Sequence, residues 1–189
     1  MMLSENSTII KTKVIPVIRT GKNFDLALSS ESPVIFILES TINELFTIDE
    51  KCTKISKKCF VHVELLKGLR EDKEGLNFLR RFGSIMGVVS TKPGFVELAK
   101  SCGFKTILRV FLVDGAVLSN LYDVVKSCKP DFVEILPGIL FEETKFLSKV
   151  LPVPVITGGL VRTEEQVRKA IEAGALAVST SSPELWKIA

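Results

Sequence analysis

The chain has 189 residues, 46% of them hydrophobic, and a formal net charge of +3. That is enough for one sizeable core and too little for two ordinary domains, so a single domain is expected, with residues 1–12 a poorly ordered N-terminal segment. No run approaches the roughly 20 apolar residues of a membrane span, and the opening residues carry neither a signal-peptide nor a presequence pattern. The implied location is cytoplasmic.

Cys52, Cys59, Cys102 and Cys128 are scattered, and His62 is the sole histidine. This spacing argues for reduced thiols and against a zinc site, and no cofactor motif is present. The mild positive charge permits nucleic-acid binding without requiring it.

Residues 13–19 read as a first strand ending in a cation, Arg19, with Gly21 turning the chain toward Phe24, Leu26, Ala27 and Leu28. The apolar run 33–38 reads as a strand buried on both faces. Residues 41–57 have helical spacing, with Leu45, Ile48, Cys52 and Ile55 on one stripe and Lys51, Lys54 and Lys58 on another. A third strand is expected over 59–66. Its alternation sets Val61, Val63 and Leu65 on one face and Phe60, His62 and Glu64 on the other.

A charged helix start at 70–74 leads into Leu76, Phe78, Leu79 and Phe82. Strands are then expected over 85–90, 105–113 (with Arg109 inside it) and 130–136 (with Glu134 inside it). Helical stretches follow each, and Phe111 and Phe141 read as core residues.

Segment 153–186 closes the series as strand, helix, strand. Thr163 and Gln166 have the spacing of a capping box, Gly174 suits a left-handed cap, and Pro183 is placed to open another short helix. Gly158-Gly159 follows one strand, and Ser179, Thr180, Ser181 and Ser182 follow the other. Bare backbone N–H groups and hydroxyls at neighbouring strand exits are what a phosphate needs. A plain tight turn with a helix cap fits the same residues.

Strict alternation of about eight strand–helix units demands parallel strands and favours an α/β fold, a small single-domain (β/α)8 TIM-like barrel. Phosphate sites there are commonly built from the last two strand mouths. An open flavodoxin-like sheet is the alternative. Arg19, His62, Glu64, Arg109 and Glu134 lie in or at the exits of otherwise apolar strands, so each needs a partner. Arg109 with Glu134 is the obvious pair, and His62 or Lys67 serves Glu64. A polar network closing the barrel and a cup facing a phosphate site are both consistent with this pattern.

The stretches PVIR at 16–19, FVHVELLKG at 60–68, VSTK at 89–92, RVFLVD at 109–114, KPDFVEILPG at 129–138, GG at 158–159, AVSTS at 177–181 and ELW at 184–186 resemble the glycerol-3-phosphate-responsive antiterminators, in the right order over nearly the whole chain. The resemblance implies a barrel that senses glycerol 3-phosphate and acts on leader mRNA to regulate glycerol uptake and utilisation genes, and it implies no catalysis. The ligand groups it implies are Arg19, His62, Glu64, Lys67, Arg109, Glu134, Gly158, Gly159, Ser179 and Thr180. Glu64, Leu108 and Ser182 depart from the family pattern, where Asp, Gln and Asn are expected.

RNA contacts would draw on the basic clusters Lys51, Lys54 and Lys58, or Arg70, Lys73, Arg80 and Arg81. An ordinary solvated helix face reads the same way. A homo-oligomer is compatible with the sequence. The alternative function is a barrel enzyme, of aldolase or isomerase type, acting on a small phosphorylated metabolite.

Overall fold

A computed structural model describes residues 9–19 and 22–188. Among the described residues eight parallel barrel strands alternate with seven α-helices, and a two-residue strand, Leu66–Lys67, adds to the end of the second. The strands are β1 (Val14–Arg19), β2 (Val34–Thr41), β3 (Lys58–His62), β4 (Ile85–Ser90), β5 (Lys105–Phe111), β6 (Phe132–Leu136), β7 (Val155–Gly158) and β8 (Ala177–Thr180). The helices are α1 (Phe24–Leu28), α2 (Glu44–Lys54), α3 (Lys73–Leu79), α4 (Pro93–Ser101), α5 (Gly115–Cys128), α6 (Phe141–Val150) and α7 (Glu164–Glu172). Each strand pairs with its sequence neighbour, and β1 pairs with both β8 and β2, so the sheet closes into a barrel.

The interior is filled from one parity of each strand. Ile15, Val17, Phe36, Leu38, Phe60, Val89, Ile107, Phe132, Ile156 and Ala177 form one buried cluster. The alternate residues, such as Val14, Ile18, Ile35, Val61 and Val88, pack with the helices in a separate shell. Phe60 stands edge-on to Phe36 at 5.6 Å and to Phe132 at 6.3 Å. Gly87 makes room for it, because a Cβ there would lie 2.3 Å from the Phe60 ring and 2.5 Å from the Lys105 carbonyl. Two residues further along the same parity come Arg19, His62, Arg109, Glu134, Gly158 and Ser179, so an apolar plug carries a polar layer at the C-terminal mouth.

Several expectations change. The third strand ends at His62. Residues Val63–Leu65 form a single 3₁₀ turn, and Leu66–Lys67 pairs with Ser40 and Thr41 at the far end of β2. Leu65 is therefore exposed instead of sharing the face of Val61 and Val63. The helix expected to reach residue 57 stops at Lys54, with Ile55 exposed and Ser56 at φ 59°. Phe111 is exposed at the barrel mouth and Phe141 is half-buried.

The turn placed at Gly21 lies outside the described residues, as do residues 1–8 of the N-terminal segment; within that segment Ile10 is buried and Thr12 donates to Ser32 at 3.1 Å. No helix among the described residues is long and apolar enough to cross a membrane.

Candidate functional site: a polar cup at the barrel mouth

At the C-terminal ends of the strands a cup of about 520 Å³ opens to solvent. Its wall carries Arg19, His62, Glu64, Thr91, Arg109, Glu134, Gly159, Arg162 and the run Ser179 to Ser182, with Leu65, Phe111 and Leu160 at an apolar rim.

The floor is a closed hydrogen-bonded set. β5 and β6 place Arg109 directly opposite Glu134, and Arg109 Nε donates to Glu134 Oε2 at 2.7 Å. Glu134 is wholly buried, and its other oxygen accepts from Ser179 Oγ at 2.5 Å. The Ser179 hydroxyl hydrogen is therefore given to Glu134, and its oxygen keeps acceptor capacity. Gly158 lies between them, where a Cβ would fall 2.1 Å from Ser179 Oγ and 3.1 Å from Glu134 Oε1. This glycine makes room for that internal bond. Gly159, at φ 73°, turns the chain over Leu136. Leu160 continues left-handed at φ 61°, a conformation that costs a side-chain-bearing residue about 1 kcal/mol or more.

The loop after β7 is pinned on three sides. Gly138 N donates to Gly159 O at 2.9 Å, and Thr180 Oγ1 donates to Val161 O at 3.2 Å. The expected capping box is present: Gln166 N donates to Thr163 Oγ1, while Gln166 Oε1 accepts from the backbone of Thr163 and of Arg162, at 3.2 and 2.7 Å. After β8, Ser182 N donates to Thr180 Oγ1 at 3.2 Å and the buried Trp186 Nε1 to Thr180 O at 2.8 Å. Both Thr180 and Ser179 thus hold the turn in shape, and the neighbouring Ser181 and Ser182 present the turn to the cup.

Across the cup, Glu64 closes the mouth between β3 and β4. Its Oε1 accepts from Ser90 Oγ at 2.6 Å and from Thr91 N at 2.8 Å. Its Oε2 lies 3.1 Å from His62 Nδ1, but the two are not aligned as a hydrogen bond, and both atoms are buried without another hydrogen-bonding partner among the described residues. Burial pushes the Glu64 carboxyl up; the His62 ring, the Ser90 hydroxyl and backbone N–H groups pull harder and bring it down to about 2. Glu64 is thus an anion at neutral pH, and with Nδ1 turned to it the imidazole has Nε2 left for a ligand.

Of the residues expected to bind ligand, Arg19, His62, Glu64, Arg109, Glu134, Gly159, Ser179 and Thr180 line one cup, and Gly158 sits just behind the wall. Lys67 does not join them. It lies in the adjoining cleft with Glu39, Ser40, Thr41 and Glu44, where its charge, after hydrogen bonds from Ser40 and Thr41, helps hold the Glu44 carboxyl below its usual value. Arg162 was missed by the sequence reading. Its signal was available, because the capping box at Thr163 makes it the last loop residue before α7 and so places it at the mouth. Among the described residues no group of three His, Cys, Asp or Glu side chains is placed to hold a metal ion.

The two basic clusters named as alternatives for RNA contact are placed differently in the fold. Arg70 and Lys73 follow the mouth, whereas Lys54, Lys58, Arg80 and Arg81 sit where α2 and α3 end and β3 begins, at the opposite end of the barrel. Most are engaged: Lys51 with Asp25 and Lys54 with Glu50 at 2.7 Å, Arg70 with Asp72 at 3.3 Å, and Lys58 with the Gly83 carbonyl at 2.9 Å. Arg80 and Arg81 lie over Phe104 and Phe78.

A closed (β/α)8 barrel with adjacent Gly-Gly and Ser/Thr strand exits at its C-terminal mouth defines the class: a small, single-domain TIM-like barrel with a polar cup at that mouth. The family model described as glycerol-3-phosphate responsive antiterminator matches residues 14–186, and the chain belongs to that family. It is 34% identical over 176 residues, 93% of this chain and 92% of the relative, to the uncharacterized protein YgcP of Escherichia coli strain K12.

Among solved structures it is similar to the glycerol uptake operon antiterminator regulatory protein of Listeria monocytogenes, with a TM-score of 0.85 and 30% identity over 92% of this chain and 94% of that one. It is also similar to a glycerol uptake operon antiterminator-related protein of Thermotoga maritima, with a TM-score of 0.83 and 29% identity over 94% and 99%. The family is a regulatory one.

Proposed function

We propose that the cup receives glycerol 3-phosphate and that the loaded protein acts in the cytoplasm as an antiterminator, binding leader mRNA ahead of glycerol uptake and utilisation genes without catalysing a reaction. Family membership supports the reading, and one observation carries it: Gly158 and Ser179 are register partners on β7 and β8, so the two strand exits suited to a phosphate open side by side into one cup. The phosphate lies against the turns at residues 159–162 and 180–182. The glycerol hydroxyls point toward His62 and Arg19. Ligand shifts the protein toward an RNA-competent arrangement of the mouth loops only to the extent that it binds that arrangement better.

Titrating a glycerol-operon leader RNA with and without glycerol 3-phosphate, at several fixed salt concentrations, tests this. The expected result is tighter RNA binding with ligand at each salt concentration. Equal affinity throughout contradicts it.

A second reading, an enzyme acting on a phosphorylated metabolite, draws on the closeness of His62 and Glu64, since a base beside an orienting carboxylate is a proton-transfer arrangement. Incubation with triose and glycerol phosphates separates the two. Turnover that disappears in His62→Gln would favour the enzyme.

A further inference from the structure

A cup that is to hold a phosphate monoester needs positive charge not already cancelled by the protein. Four residues of its wall can carry such charge: Arg19, His62, Arg109 and Arg162. Arg109 is buried against Glu134, which lies at 2.7 Å with no solvent exposure, so the pair is neutral. Arg19 is held by Glu39 at 2.8 Å. His62 faces the ionised Glu64. With these groups matched or outweighed, the wall without Arg162 presents no surplus positive charge to an incoming anion. Arg162 has no side-chain partner among the described residues; of the acidic groups in the first turn of α7, Glu165 is engaged by Lys169 at 2.8 Å, and Glu164 lies in a different cleft with Lys13 and Arg168.

Its backbone is nevertheless fixed. The N–H of Arg162 donates to Gln166 Oε1, the preceding Val161 is buried and bonded to Thr180, and Leu160 holds a left-handed conformation before it. A rigid stalk thus carries an uncommitted guanidinium at the rim of the cup. With the backbone already fixed, an arriving anion has only the side chain to order, and a planar guanidinium can meet two phosphate oxygens at once.

We infer that Arg162 is the residue by which the cup tells a phosphate monoester from the corresponding neutral polyol. The inference rests on the proposed ligand reading and adds to it the source of the charge. Arg109 then serves to hold Glu134 and Ser179 in place, and Arg19 makes the smaller contribution because Glu39 competes for it.

Titration calorimetry of the wild type, Arg162→Gln, Arg162→Lys and Arg19→Gln with glycerol 3-phosphate and, separately, with glycerol provides the test. Arg162→Gln is expected to weaken glycerol 3-phosphate by about ten- to a hundredfold, the range for a hydrogen bond to a charged group, and to leave glycerol unchanged. Arg162→Lys is expected to recover part of the loss, which a merely structural role would not produce, and Arg19→Gln to lose less than Arg162→Gln.

If the wild type binds glycerol 3-phosphate and Arg162→Gln binds it equally well, or if Arg19→Gln loses more, the assignment to Arg162 is overturned while the ligand reading stands. If the wild type shows no saturable binding, the ligand reading itself falls, and the inference with it.

Discussion

The barrel interior has two halves made by the same strands, two residues apart. In the lower half Phe36, Phe60, Phe132, Ile107 and Ile156 fill space by shape, helped by the missing side chain at Gly87. In the upper half Arg109, Glu134 and Ser179 are held by hydrogen-bonding partners, helped by the missing side chain at Gly158, and His62 stands 3.1 Å from Glu64. The plug tolerates error as volume, whereas the cup tolerates error only as charge and hydrogen bonds. A buried ion pair adds little net stability, yet breaking it on one side is costly, because the abandoned charge stays buried.

The sharpest way to separate the halves is to damage each in turn. Glu134→Ala, which strands Arg109, is expected to cost about 3–5 kcal/mol in denaturant unfolding and to abolish ligand binding in whatever folded fraction remains. Phe60→Ala leaves a cavity in the plug and is expected to cost a similar amount, about 3–5 kcal/mol, while the folded protein keeps its ligand affinity. Equal loss of affinity in the two variants would show that plug and cup are one unit. Gly158→Ala must push Ser179 off Glu134 and is expected to cost about 1–3 kcal/mol, as overpacking does. Its effect on ligand affinity should exceed that of any plug variant of equal stability.

A smaller effect depends on pH. The Glu64 carboxyl sits at about 2, below its unfolded value near 4.3. Its contribution is therefore fully present above the unfolded value and is lost as pH falls through the folded one. Unfolding measured from pH 7 down to 2 should show Glu64→Gln less stable than the wild type at neutral pH, with the gap closing between about pH 4.5 and 2. A constant gap would mean that Glu64 is not the titrating group.

The smallest effect belongs to Arg19→Ala, whose pair with Glu39 is exposed and whose loss should change stability by less than about 1 kcal/mol.

Much of this division could be read from the residues alone. Charged side chains inside apolar strands mark the upper layer, and Arg109 and Glu134 fall on consecutive strands, so their pairing needed only the parallel order. The capping box at Thr163 and the left-handed Gly174 depend on neighbours three or four positions away, and both appear as expected. What stayed hidden depends on contacts between distant segments. The period-two pattern continues unbroken from Phe60 to Leu65, yet β3 stops at His62, because the next extended residues, Leu66 and Lys67, pair with the end of β2. No local pattern shows that the Ser179 hydroxyl reaches over β7 to Glu134, nor that Glu39 claims Arg19, which leaves Arg162 as the unmatched charge.

The most direct test is an amide chemical-shift titration of the ¹⁵N-labelled protein with glycerol 3-phosphate, run beside one with glycerol. Saturable shifts concentrated at residues 159–162 and 180–182 are expected with glycerol 3-phosphate, and none of that pattern with glycerol. Shifts absent from both turns, or centred on another face of the barrel, would contradict the proposed site.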